Sequence, residues 1–208
     1  MIVHKFTSGI FAVNNYLIQS STSAKAVLID AGEQPEIILK KIDELNVELV
    51  YLIDTHGHGD HIAGNSAILE NTAAKLLIHP KDEPFLNDPN LNLSAAMGFR
   101  LISPPADRLL EEGDIIEVED IRLKVLHTPG HTPGHITLVA GEAAFVGDVI
   151  FRDSIGRTDF PHSNFADLER SIREKIYALP DETILYNGHG PETTVGYEKI
   201  HNPFVKAS

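Results

Sequence analysis

Apolar residues along this chain recur with two periods. "IRLKVLHT" alternates, with Ile121, Leu123 and Val125 on one face and Arg122 and Lys124 on the other, the pattern of a half-buried strand. "NNYLIQS" and "KAVLIDAG" read as a hairpin joined by polar "STSA". "ELVYLIDT", "KLLIH", "HITLVA", "AAFVGD" and "ETILYNGHG" are further short apolar runs of strand length. Helical spacing alternates with them. "PEIILKKIDELN" opens on Pro35 and stacks Ile38, Leu39, Ile42 and Leu45 on one stripe. "DHIAGNSAILENT" predicts a shorter helix. "NFADLERSIREKIYALP" places Phe165, Leu168, Ile172, Ile176 and Leu179 at steps of three and four before Pro180 ends it. "TVGYEKI" predicts a last turn or two. Residues 84–107, "PFLNDPNLNLSAAMGFRLISPPAD", hold four prolines and no period; they predict a long loop over one edge, placed to act as a lid. Strand groups separated by helices predict a layered α/β protein with mixed sheets. No repeat, linker or low-complexity tract divides residues 1–208, so one domain is expected.

Composition narrows the function classes. A formal charge of −13, from 17 basic against 30 acidic side chains, speaks against nucleic-acid binding and against docking on anionic membranes. There is no cysteine, which excludes disulfides, thiolate metal sites and a cysteine nucleophile. No apolar run approaches the length of a membrane span and no leader pattern opens the chain, so a cytoplasmic protein is expected.

The chemistry concentrates in "THGHGDHIAG", residues 55–64. His56 and His58 follow an apolar strand and flank Gly57. Two residues apart in extended backbone, they point the same way and can reach one ion. Asp60 and His61 come where a helix starts and can turn toward a second point close by. Further donors are expected at other strand ends beside glycine: His127, His131 and His135 in "HTPGHTPGH", Asp148 in "FVGDVI" and His189 in "YNGHG". All available donors are nitrogen and oxygen, which suits Zn, Fe or Mn, with zinc the default.

The ordered set T-H-x-H-x-D-H at 55–61, then His131, Asp148 and His189, resembles the metallo-β-lactamase fold superfamily. The likeness runs from Asp30 in "LIDAG" to "GHGPETTVGYEKIHNPF". It implies a four-layer αββα sandwich of two mixed β-sheets, with two divalent metal ions at one edge. It further implies that His56, His58 and His131 hold one ion, that Asp60, His61 and His189 hold the other, and that Asp148 bridges them. Two such ions activate a shared water for metal-assisted hydrolysis. Asp60 would orient that water and take up a proton. Asp30 would orient a ligand from behind.

Within the superfamily, "HTPGHTPGH", "GDVIFRDSIGRTDFP" and the C-terminal stretch are similar to short glyoxalase II-like hydrolases. These cleave S-D-lactoylglutathione or a related thioester. Long members add a C-terminal helical domain, which is not expected here, and place a Lys and a Tyr where this sequence has Arg157 and Asp159. Arg157 is expected to meet a substrate carboxylate as a bidentate fork, while Asp159 would repel one. "GRTDF" also resembles the persulfide dioxygenase branch, in which a single Fe(II) would sit on His56, His131 and Asp148. A lactonase or other ester hydrolase is the remaining reading on the same fold. His135 is expected to be a structural hydrogen-bonder, His127 either a site contact or loop packing, and His4, His162 and His201 surface or packing residues.

Overall fold

The computed structural model describes residues 1–207. β1 (Ile2–Ser8), β2 (Val13–Gln19) and β3 (Lys25–Ile29) form an antiparallel meander. The chain then crosses over through α1 (Pro35–Leu45) to β4 (Glu48–Ile53), which lies parallel to β3. The short α2 (Gly59–Ile62) and α3 (Asn65–Asn71) lead to β5 (Lys75–Ile78), and the long loop leads to β6 (Arg108–Leu109), both again parallel. Parallel neighbours require such crossovers, whereas antiparallel ones need only turns.

A second sheet follows. β7 (Ile115–Val118), β8 (Ile121–His127), β9 (Ile136–Ala140) and β10 (Ala143–Gly147) pair antiparallel in chain order. A small hairpin, β11 (Ile150–Phe151) with β12 (Ser154–Ile155), and α4 (Phe165–Ser171) come next. β13 (Ile184–Asn187) then adds parallel to β10, and β14 (Thr193–Thr194) and α5 (Val195–His201) end the fold. The described residues thus form two six-stranded mixed sheets.

Alternation along the strands sorts the core into three layers. Between the sheets, Tyr16, Ile18, Val27, Ile29 and Ile53 meet Ile116, Ile121, Leu123, Val125 and Phe145. The opposite faces of β2, β3, β4 and β5 carry Leu17, Leu28, Leu52 and Leu76, which pack on Ile38, Ile42, Ile62 and Ile68. Beyond the second sheet, Ala144, Val146 and Leu185 pack on Leu168, Ile172 and Ile176. The result is the expected αββα sandwich. Strands buried on both faces explain the unbroken apolar runs "KAVLI" and "AAFV".

Three local expectations are corrected. The helix expected after the histidines is two helices, because the Gly64 amide turns aside to the Ala31 carbonyl at 2.7 Å and a side chain there would meet the Gly32 carbonyl. α4 passes at Ile172 into a wider turn with i→i+5 bonding, and Phe165, 45% exposed, faces solvent instead of the stripe. β1 went unforeseen because it is an edge strand in which only Ser8 is buried, so no clean apolar alternation marks it. The long loop does run without strand, held by 3₁₀ turns at Glu83–Leu86 and Ala95–Met97 and by Asn92, whose amide donates to the Phe85 and Leu101 carbonyls. Among the described residues no helix is long and apolar enough to cross a membrane.

Candidate metal centre

The seven donors that the family resemblance names lie on one edge of the sandwich, where strands from both sheets end. Asp30 follows β3 in a left-handed conformation, φ 57°. His56 and His58 follow β4, and Asp60 and His61 sit in the only turn of α2. From the second sheet, His131 sits in the β8–β9 loop, Asp148 just past β10 and His189 just past β13. The first sheet therefore brings four donors and the second brings three.

Their donor atoms fall into three groups, each within 4.8 Å: His56, His58 and His131; His56, His61 and Asp148; Asp60, His61 and His189. Asp148 stands between the first and the third. Its Oδ1 is 3.4 Å from His61 Nε2, and its Oδ2 is 3.5 Å from His131 Nε2 and 3.4 Å from His189 Nε2. Asp60 Oδ2 is 3.5 Å from His189 Nε2 and 3.9 Å from His61 Nε2.

Hydrogen bonds behind the rings fix which nitrogen faces inward. His61 Nδ1–H donates to Asp30 Oδ2 at 2.8 Å, His131 Nδ1–H to the Arg157 carbonyl at 2.9 Å and His189 Nδ1–H to the Phe11 carbonyl at 2.9 Å. Asp30 also accepts the Thr55 amide and hydroxyl. With its proton committed there, the Thr55 hydroxyl accepts from His56 Nδ1–H at 3.1 Å. Four imidazoles thus present Nε2 lone pairs to one space, the arrangement that metal-ligating histidines require. His58 instead directs Nδ1 inward, 2.9 Å from His131 Nε2.

Two observations test whether these residues suit metal ions. His56 Nε2 and Asp148 Oδ1 are buried with no hydrogen-bond partner among the described residues, and a buried polar atom left so is costly unless something ligates it. The local field also favours positive charge. Burial alone would lower His61 and His189, yet Asp148 and Asp60 carry His61 well above its ordinary range and His189 to about 10. On the other side of the cluster, burial and the neighbouring rings hold His56, His58 and His131 low, as neutral ligands. Neutral imidazoles around a carboxylate pair fit a divalent cation site.

Two residues behind the donors matter in different ways. His135 behaves as expected: its Nε2 accepts the Asp148 amide at 3.0 Å, and it contributes to no donor group. Asp82 was missed. Fully buried, it accepts the Gly57 amide (3.0 Å), the Thr132 hydroxyl (2.6 Å) and the Gly134 amide (2.6 Å), tying the first histidine loop to the β8–β9 loop. Burial lifts its carboxyl to about 6 even against these three bonds. In "IHPKDEPF" nothing local distinguishes it from a solvated loop aspartate. His127 stacks on His79 at 4.2 Å, away from the donors.

A cavity of about 670 Å³ opens over the cluster, with His58, Asp60, His131, Asp148 and His189 on its floor. Arg157 and Phe160 stand on its wall. The Arg157 guanidinium donates from Nε and Nη2 to both oxygens of Asp159, at 2.9 and 2.8 Å, and lies 4.4 Å from the centre of the Phe160 ring.

The profile of the metallo-beta-lactamase superfamily matches residues 8–189. The chain is similar to the hydroxyacylglutathione hydrolase GloC of Haemophilus influenzae, at 36% identity over 88% of each protein. Among solved structures it is similar to the B3 metallo-beta-lactamase BLEG-1 (33% identity, TM-score 0.94, 98% of this chain and 99% of that one). It also matches TTHA1623 in a di-iron-bound form (34% identity, TM-score 0.86, 98% and 100%).

Proposed function

The chain belongs to the metallo-β-lactamase superfamily, and from that premise we propose that it is a dinuclear metal-dependent hydrolase of the glyoxalase II-like branch. Its reaction would be the cleavage of S-D-lactoylglutathione or a related thioester to an acid and a free thiol. The position of Asp148, within 3.5 Å of a histidine from each of two donor triads, carries the reading of two ions. His56, His58 and His131 would hold one, Asp60, His61 and His189 the other, with Asp148 between. Zinc is the first candidate by ligand type; the di-iron form of TTHA1623 makes iron a serious second.

Ions there would supply Lewis acidity and a water of lowered pKa. This chain's own groups do the rest. Asp60 faces the cavity, with its side chain 19% exposed, and can orient a water and hold its proton at Oδ. Asp30, Thr55, Phe11 and Arg157 lock the imidazole tautomers through one side-chain or backbone acceptor each. Apolar walls limit water above the donors.

Elemental analysis of the purified protein, combined with thiol release from S-D-lactoylglutathione, tests the proposal. Two metals per chain and released thiol are expected. A single iron per chain with oxygen consumption on glutathione persulfide would assign it to dioxygenase chemistry instead.

A further inference from the structure

The wall above the donors is almost entirely apolar. Phe11 comes from the β1–β2 turn, Leu93 and Met97 from the long loop, Phe151 from β11 and Phe160 from the segment after β12. Ile10, beside Phe11, is 81% exposed, so apolar surface continues outward past the rim. Arg157 is the only arginine or lysine among the lining residues, and the Nε–Nη2 edge of its guanidinium is taken by both oxygens of Asp159. Ion pairs as exposed as this one are individually weak. A substrate carboxylate that displaced Asp159 would nevertheless leave that aspartate unpaired beside it. With its best bidentate edge already held by an aspartate, Arg157 offers an entering carboxylate little net attraction, whereas the wall rewards apolar contact with every methylene it covers.

Resting on the thioesterase reading and narrowing it, we propose that the group carried into this cavity with the reacting carbonyl is an uncharged aliphatic acyl chain. Selectivity comes from the Phe11, Leu93, Met97, Phe151 and Phe160 wall and not from pairing with a charged thiol carrier. The reaction balances without a further reactant. Water adds its oxygen to the acyl carbon, the C–S bond breaks, and the acid and thiol leave with the two protons of that water.

The test compares octanoyl and acetyl thioesters of N-acetylcysteamine with S-D-lactoylglutathione on the metal-loaded protein. kcat/KM for octanoyl should exceed that for acetyl by on the order of tenfold or more. Met97→Asp, and independently Ala96→Asp at an exposed neighbouring position, should collapse that ratio. Asp159→Asn, which frees Arg157, should raise the rate on lactoylglutathione relative to octanoyl. Calorimetry with the octyl and methyl thioethers of N-acetylcysteamine gives a readout without turnover, and the octyl compound should bind more tightly. Equal kcat/KM for octanoyl and acetyl, or a preference for lactoylglutathione, overturns the inference and leaves thioester hydrolysis standing. Tighter octyl binding with no thioester cleaved supports the apolar site and removes the thioesterase reading. Equal binding of the two thioethers overturns the apolar site whatever the activity.

Discussion

Asp82 accepts three hydrogen bonds from two loops that lie far apart in the chain, and each loop carries donors. Asn at this position has one acceptor oxygen, and its amide would face an N–H or O–H donor. Asp82→Asn should therefore cost about 2–4 kcal/mol of stability, read by urea unfolding, and weaken metal affinity. Its pH dependence has a definite sign. Folding raises this carboxyl from 3.8 to about 6, so its protonated form stabilises the fold, and that contribution is lost as pH rises through 6. The Tm advantage of wild type over Asp82→Asn should shrink from pH 4 to pH 6; a constant difference would mean that Asp82 is already ionised at pH 4. At the donors themselves, His131→Ala should lower the metal content measured by elemental analysis and abolish turnover. Unchanged metal content would remove His131 from the ligand set. The donors could be read from the sequence because they cluster in Gly-rich turns that follow apolar runs, in the order the family motif requires. Asp82 could not, because its partners are backbone amides and a threonine hydroxyl brought to it only by the tertiary fold.

The β8–β9 loop owes its position to contact with a helix. Gly130 (φ 139°) lies so close to Leu168 at the start of α4 that an added Cβ would strike the Leu168 backbone, while its carbonyl accepts the Asn164 amide at 2.7 Å. Asn164 in turn caps α4 by accepting the Asp167 amide. Gly130→Ala should push α4 away and cost about 3 kcal/mol by overpacking alone. Circular dichroism melts would detect the loss, and a melt like that of wild type would show that the loop moves freely of the helix. Most strands and helices of five or more residues were legible, including α1 and β8, but the seven-residue edge strand β1 and the four-residue β7 were not. The two-residue β6, β11, β12 and β14 were not, since two residues carry no period. Nor could the pattern place the break at Gly64, which depends on a carbonyl of another segment.

The two sheets meet at the donor edge, so bound ions would tie one half of the sandwich to the other. Ligand binding stabilises the state that holds the ligand, by about 4 kcal/mol at a thousandfold excess over Kd. At about 2–4 °C per kcal/mol for a chain of this size, chelation should lower Tm by about 10 °C, measured by scanning calorimetry. An unchanged melt after verified metal removal would show that the two halves are held without the ions. The layered arrangement followed from the alternation of strand and helix, and the αββα order from family resemblance. The apolar wall followed from neither, because Phe11, Met97 and Phe160 lie in three loops with no common pattern.

The hydrogen bond from His189 to the Phe11 carbonyl spans 178 positions of sequence. Translation delivers the first sheet, with His56, His58, Asp60 and His61, before any strand of the second. On a ribosome, the nascent chain therefore displays four of the seven donors early, and the turn that will support the last histidine waits beside them. The third group closes only when β13 has left the exit tunnel and laid itself along β10. The donor set thus closes only once strands of both sheets are in place, and a product interrupted before β13 carries the first four donors without His189 to complete the third group.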